Sequence, residues 1–150
     1  MGQGRDVLQI KKNALTGFFG TQGFELNLRL QASNTLNPTG EILRIHNNLI
    51  VSMTPMGGLS FWLNTAETAK PVQISTGPLK LFDQNWHDIA VRYDARSRQM
   101  VIFVDGQKAG QGLAQGKLRK MESWGLSFGN PFGKKTFDGN IASLNLRAAD

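Results

Sequence analysis

Trp86, His87 and Asp88 stand together in NWHDIAVRYD, residues 85–94, at the head of an alternating segment. A His beside a carboxylate can move protons, and an indole can stack on an apolar face. A triad also needs a nucleophile. No Ser lies in a G-x-S-x-G elbow, and one His with one nearby Asp does not make a triad. The chain has no Cys, which removes thiolate nucleophiles, thiolate zinc sites and disulfides. A Trp ahead of an alternating strand is more often an anchor than a reagent, because its ring buries a large apolar area.

Other residues suit binding better than catalysis. Trp62 alternates with Leu59, Phe61 and Leu63, so it lies on the opposite surface of its sheet if those three face the core. An exposed ring there would be a stacking platform for sugars; a covering loop or neighbouring domain is the equal alternative. Arg92 alternates outward from Val91 and Tyr93, and Arg44 and His46 are expected on an adjacent strand. Arginine can grip a carboxylate or sulfate through two parallel hydrogen bonds. The loop Gly129-Asn130-Pro131-Phe132-Gly133-Lys134-Lys135 offers Asn130, Lys134 and Lys135 to an anionic glycan, with Lys117-Leu118-Arg119-Lys120 as a possible addition. Net charge is +6 with a pI near 10.0. Six basic residues between 117 and 150 face three acidic ones, a local excess of +3. Such a surface concentrates polyanions, and it is equally an ordinary soluble surface.

The elements that must position these residues have a period of two. Phe24, Leu26, Leu28 and Leu30 share one face, while Glu25, Asn27, Arg29 and Gln31 share the other. Further strands are expected at Glu41–Ile45, Leu49–Met53, Leu59–Leu63, Val72–Ile74, Ile89–Tyr93, Met100–Val104, Gly125–Gly129 and Asn140–Arg147. Asp105-Gly106 marks a tight turn into Gln107-Lys108-Ala109, and Asn47-Asn48 suits a hairpin. Met100–Val104 is continuously apolar, which predicts cover on both faces. Leu113–Met121 admits at most a short helical turn. Many short strands between Gly, Pro, Asn and Asp turns predict an all-β sandwich, with a barrel as the competing arrangement. At 150 residues the chain reads as one domain, 1–150. Its Met-Gly start is compatible with a domain cut from a larger protein. No apolar run is long enough to span a bilayer, and the first residues lack a signal-peptide core.

In this order and spacing, the segments GEILRI (40–45), LIVSM (49–53), LSFWL (59–63), NWHDIAVRYD, VIFVDG (101–106), LSFG (126–129) and FDGNI (137–141) carry a resemblance. The chain resembles laminin G-like and pentraxin-like members of the concanavalin A-like lectin/glucanase superfamily, from about Phe24 to Arg147. The stretch around Gly129–Gly133 before Phe137-Asp138-Gly139 is similar to domains of bacterial repeats-in-toxin calcium-binding proteins. The resemblance implies a two-sheet antiparallel jelly-roll sandwich. It also implies that Trp86 is a core residue beside a loop and that His87 positions the strand start.

Glucanases of that superfamily use Glu-x-Asp-x-x-Glu along one strand. None of the four Glu residues (Glu25, Glu41, Glu67, Glu122) begins that pattern. Related lyases need a Tyr in the groove, whereas the single Tyr, Tyr93, has inward parity. The expected protein is therefore not an enzyme. It is expected to be a carbohydrate-binding or adhesion module for an acidic glycan, in a secreted or cell-surface protein. A protein-interaction or assembly module is the alternative. Nucleic acid is disfavoured for want of stacking aromatics between basic residues. Calcium is implied only by the resemblance. Asp138 and Asn140 are its weak ligand candidates, with Asp83 or Asp94 approaching.

Overall fold

The computed structural model describes residues 9–10, 23–32, 40–45, 48–65, 70–81, 83–117, 126–128 and 139–148. Every regular element among them is a strand: β1 (Gln9–Ile10), β2 (Gly23–Ala32), β3 (Glu41–Ile45), β4 (Leu49–Met53), β5 (Leu59–Leu63), β6 (Val72–Ser75), β7 (Trp86–Asp94), β8 (Gln99–Val104), β9 (Gln107–Leu113), β10 (Leu126–Phe128) and β11 (Gly139–Ala148). They form two antiparallel sheets. One has the order β1-β10-β3-β4-β5-β6 and the other β11-β2-β7-β8-β9. This is the jelly-roll sandwich that the alternation and the resemblance imply.

Alternation builds the core directly. Phe24, Leu26, Leu28 and Leu30 of β2 are buried, as are Ile89, Val91 and Tyr93 of β7. From the facing sheet come Leu43, Ile45, Val51, Leu59, Phe61 and Leu63, all buried. Phe24 meets Phe61 edge to face between the sheets, with centroids 6.0 Å apart and planes at 86°. Burying a ring of this size stabilises by about 3 kcal/mol, and the edge-to-face geometry adds a little more. Tyr93 is fully buried, and its hydroxyl donates to the Gly116 carbonyl, so its polar tip is satisfied.

Two local devices shape the frame. Asp105 (φ 50°) and Gly106 (φ 82°) make the left-handed pair that a two-residue β8–β9 hairpin requires. At the open side of the sandwich, β9 passes close to β6. A Cβ at Gly112 would lie 2.3 Å from Ile74 Cγ2, so only glycine permits this approach.

Some expectations change. Leu113 is the last residue of β9 and not the start of a helical turn, because the hairpin ladder continues to its pairing with Gln99. The β1 strand carries no alternation long enough to read from sequence. The expected double cover of Met100–Val104 is met at Val101, which is buried on the outer face, and in part at Phe103, which is half-buried there.

Candidate functional site

Cross-strand register fixes what each outer face presents. On the six-stranded sheet, Arg44 pairs with Ile50, Ile50 with Trp62, and Trp62 with Gln73. Arg44 and Trp62 thus share a face, separated by the β4 strand. Trp62 is half-buried. Arg44 holds Glu41 by two hydrogen bonds of 2.9 and 2.5 Å, with both side chains largely covered. Its fork is already filled by an internal carboxylate.

Arg92 is not beside Arg44. It lies on β7 in the other sheet, paired with Glu25 and Val101, on the opposite outside of the sandwich. Both residues alternate outward, but alternation cannot say to which sheet a strand belongs. His46, Asn130, Lys134, Lys135 and Asp138 lie outside the described residues. Lys117 is exposed, and residues 118–120 lie outside the described set.

The outer face of the five-stranded sheet carries a groove of about 770 Å³. Its floor is made by the small Ala90 and by Asn27, the Cα partner of Ala90 on β2. Phe103 flanks Ala90 from β8, while Ser143 and Asn145 flank from β11. Two similar clusters stand at its ends. At one end Arg29 Nη1 lies 3.0 Å from Asp88 Oδ1, and its guanidinium is 6.0 Å from the Trp86 ring centroid. At the other end Arg92 Nη2 lies 3.3 Å from Glu25 Oε1, and its guanidinium is 5.2 Å from the Phe103 centroid. Each cluster joins a cation, a carboxylate and an aromatic ring.

Trp86 is therefore not a core residue: it is 39% exposed and caps one end of this face. The reason is parity. Ile89, Val91 and Tyr93 point inward, so Trp86, Asp88, Ala90 and Arg92 point outward. That signal is present in the sequence. Carried back from Ile89, the alternation puts His87 inside and Trp86 outside, against the usual preference of Trp for burial. Asn27 and Arg29 were legible as outward residues, whereas Phe103 sits in a continuously apolar run without parity, and the convergence of the three needed the register.

His87 is inward and mostly covered, and it locks the start of β7. Nδ1 lies 2.8 Å from Asp105 Oδ2, and Nε2 lies 2.9 Å from Asp83 Oδ1. Asp105 also accepts the Asp88 N–H at 2.9 Å and donates its own N–H to the Asp88 carbonyl at 2.7 Å. Burial alone pushes the imidazole toward its neutral form, but the hydrogen bonds its N–H groups donate to both carboxylates outweigh it and raise the pKa. Burial likewise pushes both carboxyls up. The Asn85 N–H and His87 outweigh it at Asp83, and His87 with the Asp88 N–H at Asp105, so both fall below the usual range. An imidazolium with two donors fits two carboxylates. His87 thus holds three segments together and fixes the backbone from which Trp86 and Asp88 project.

The calcium expectation finds little in the described residues, where no cluster of three acidic or His ligands is suited to a metal. The Asn140 amide donates to Gln31 Oε1 at 3.2 Å. Asn140 is level with Trp86 at the start of β7, through the shared partner Gln31. Asp94, at the far end of β7, is about 27 Å away along the strand and cannot join it. Asp83 is engaged by His87.

Residues 17–147 match a laminin G-type family of the concanavalin A-like lectin/glucanases superfamily, and the chain belongs to that family. Solved structures agree on the fold. Domains LG4-5 of the mouse laminin alpha1 chain superpose with a TM-score of 0.65 at 16% identity, covering 95% of this chain and 38% of that one. A putative carbohydrate binding protein from Bacteroides ovatus gives 0.63 at 17% identity, over 94% and 40%. A heptameric SAP-like pentraxin from Limulus polyphemus gives 0.59 at 15% identity, over 97% and 77%. The chain thus spans well under half the length of the first two. No curated protein sequence matches it.

Proposed function

We propose that this protein is a noncatalytic carbohydrate-binding module whose glycan lies along the outer groove of the five-stranded sheet. One observation carries the reading: an exposed Trp86 ring stands one outward position before Asp88 on β7, and Asp88 lines a groove with a small Ala90 floor and polar walls that include Asn27, Ser143 and Asn145. Apolar ring faces with a few placed polar groups are what a sugar, apolar on its faces and polar at its edges, requires. The fold it shares with a putative carbohydrate binding protein adds support.

Each carboxylate that lines the groove is held by an arginine, Asp88 by Arg29 and Glu25 by Arg92. A cation beside a carboxylate favours its ionised form, which supports binding over the proton donation that glycoside hydrolysis requires.

The face bearing Trp62 and Arg44, and the loop bearing Asn130, Lys134 and Lys135, are competing places for the site. Laminin G-like domains are typically extracellular, and among the described residues no helix is long and apolar enough to cross a membrane. We assign the protein to an extracellular or cell-surface setting on its family membership alone. Calorimetric titration with oligosaccharides tests the function, using Ala90→Gln to fill the groove floor. Loss of binding with an unchanged fold is the expected result; retained binding would move the site elsewhere.

A further inference from the structure

We propose that the groove selects neutral, hydroxyl-rich glycans and discriminates against uronic and sulfated ones. This rests on the glycan reading of the same groove. The net charge of +6 points the other way, toward a polyanion. Net charge acts at long range, however, while selectivity is decided by the groups a ligand meets.

Those groups divide cleanly. Each of the two arginines that flank the groove is held by a carboxylate: Arg29 by Asp88, and Arg92 by Glu25. Each guanidinium also packs against a ring, Trp86 or Phe103. An anionic sugar reaching either arginine would meet a carboxylate already at that position. It would have to displace the carboxylate or suffer its repulsion. Among the described residues, no partner engages the side chains of Asn27 and Asn145, which line the groove between the two pairs, or of Ser143, which lines it level with Arg29. Amides and a hydroxyl both donate and accept, which is the pattern hydroxyl groups satisfy. The committed groups are thus charged and the available ones neutral.

The test is calorimetry with two probe sets, at low and high sodium chloride. Neutral probes are cello-, xylo- and manno-oligosaccharides; acidic probes are oligoguluronate and heparin fragments. The expected result is binding of a neutral probe that changes little with salt and is lost in Trp86→Ala. Asp88→Asn should then gain about fivefold affinity for acidic probes at low salt, the order expected of one freed exposed charge. Acidic probes binding the wild type more tightly than neutral ones, with loss in Trp86→Ala, would overturn the selectivity and leave the glycan site standing. Binding of neither class would sink both.

Discussion

The guanidinium of Arg29 lies 6.0 Å from the centroid of the Trp86 ring, reaching diagonally from β2 to the first residue of β7. Asp88 holds the same guanidinium at 3.0 Å. The indole is thereby steadied from one side while 39% of its surface stays open. A stacking platform needs this combination, since a ring already ordered loses less entropy when a ligand arrives.

Replacing that ring separates binding from stability. Trp86→Ala should lower glycan affinity by tenfold or more, equivalent to about 1.4 kcal/mol. Its unfolding midpoint in urea should fall less than that of a core-ring deletion such as Phe24→Ala, because 39% of the side chain is open. Trp62→Ala should do the reverse. It removes a half-buried ring from the other sheet, and should cost about 1–3 kcal/mol in urea unfolding while glycan affinity holds.

The core makes a harder demand. Phe24→Ala and Phe61→Ala each remove one half of the inter-sheet ring contact. Each should destabilise by about 3–5 kcal/mol in equilibrium unfolding. The double variant should cost less than the sum, because both act on one contact.

The close pass of β9 over β6 gives a coupled pair. Gly112→Ala should destabilise by about 1–3 kcal/mol, since the new Cβ meets Ile74 Cγ2. Adding Ile74→Ala should recover part of that loss, read as a favourable coupling in a double-mutant cycle. Additive losses would show that Gly112 is required for some other reason.

The clasp of His87 between Asp83 and Asp105 is pH-dependent with a defined sign. The imidazole pKa is raised in the folded protein, so its contribution is full below the unfolded value of about 6.5 and fades as pH rises through the folded value. The carboxyl pKa values are lowered, so theirs is full above about 3.9 and fades as pH falls through the folded values. The melting-temperature difference between wild type and His87→Asn should therefore peak in the weakly acidic range between those limits. It should shrink in both more acid and more alkaline buffer. A difference independent of pH would mean that His87 acts by packing alone.

Much of the sandwich was legible because alternation reports burial residue by residue. The alternate residues of β2 (Phe24, Leu26, Leu28, Leu30), of β5 (Leu59, Phe61, Leu63) and of β7 (Ile89, Val91, Tyr93) face inward as their period predicts. Sheet membership was not legible. Arg44 and Arg92 look equivalent in sequence, yet they stand on opposite outer faces, because register and topology are set by contacts between distant strands. Trp86 failed for a different reason. The general preference of Trp for burial conflicted with its own parity, and the local alternation won. The Asp105 contact of His87, eighteen positions away, depends on the β8–β9 hairpin returning beside the head of β7.

The most direct test of the account is a glycan array probed side by side with wild type, Trp86→Ala and Trp62→Ala, each first shown to be folded by circular dichroism. Signal in wild type and Trp62→Ala, with loss in Trp86→Ala, is the predicted result and places the ligand on the five-stranded sheet. Loss in Trp62→Ala with full binding by Trp86→Ala would contradict it and move the site to the other face. Silence from all three would leave a protein-interaction module as the better reading.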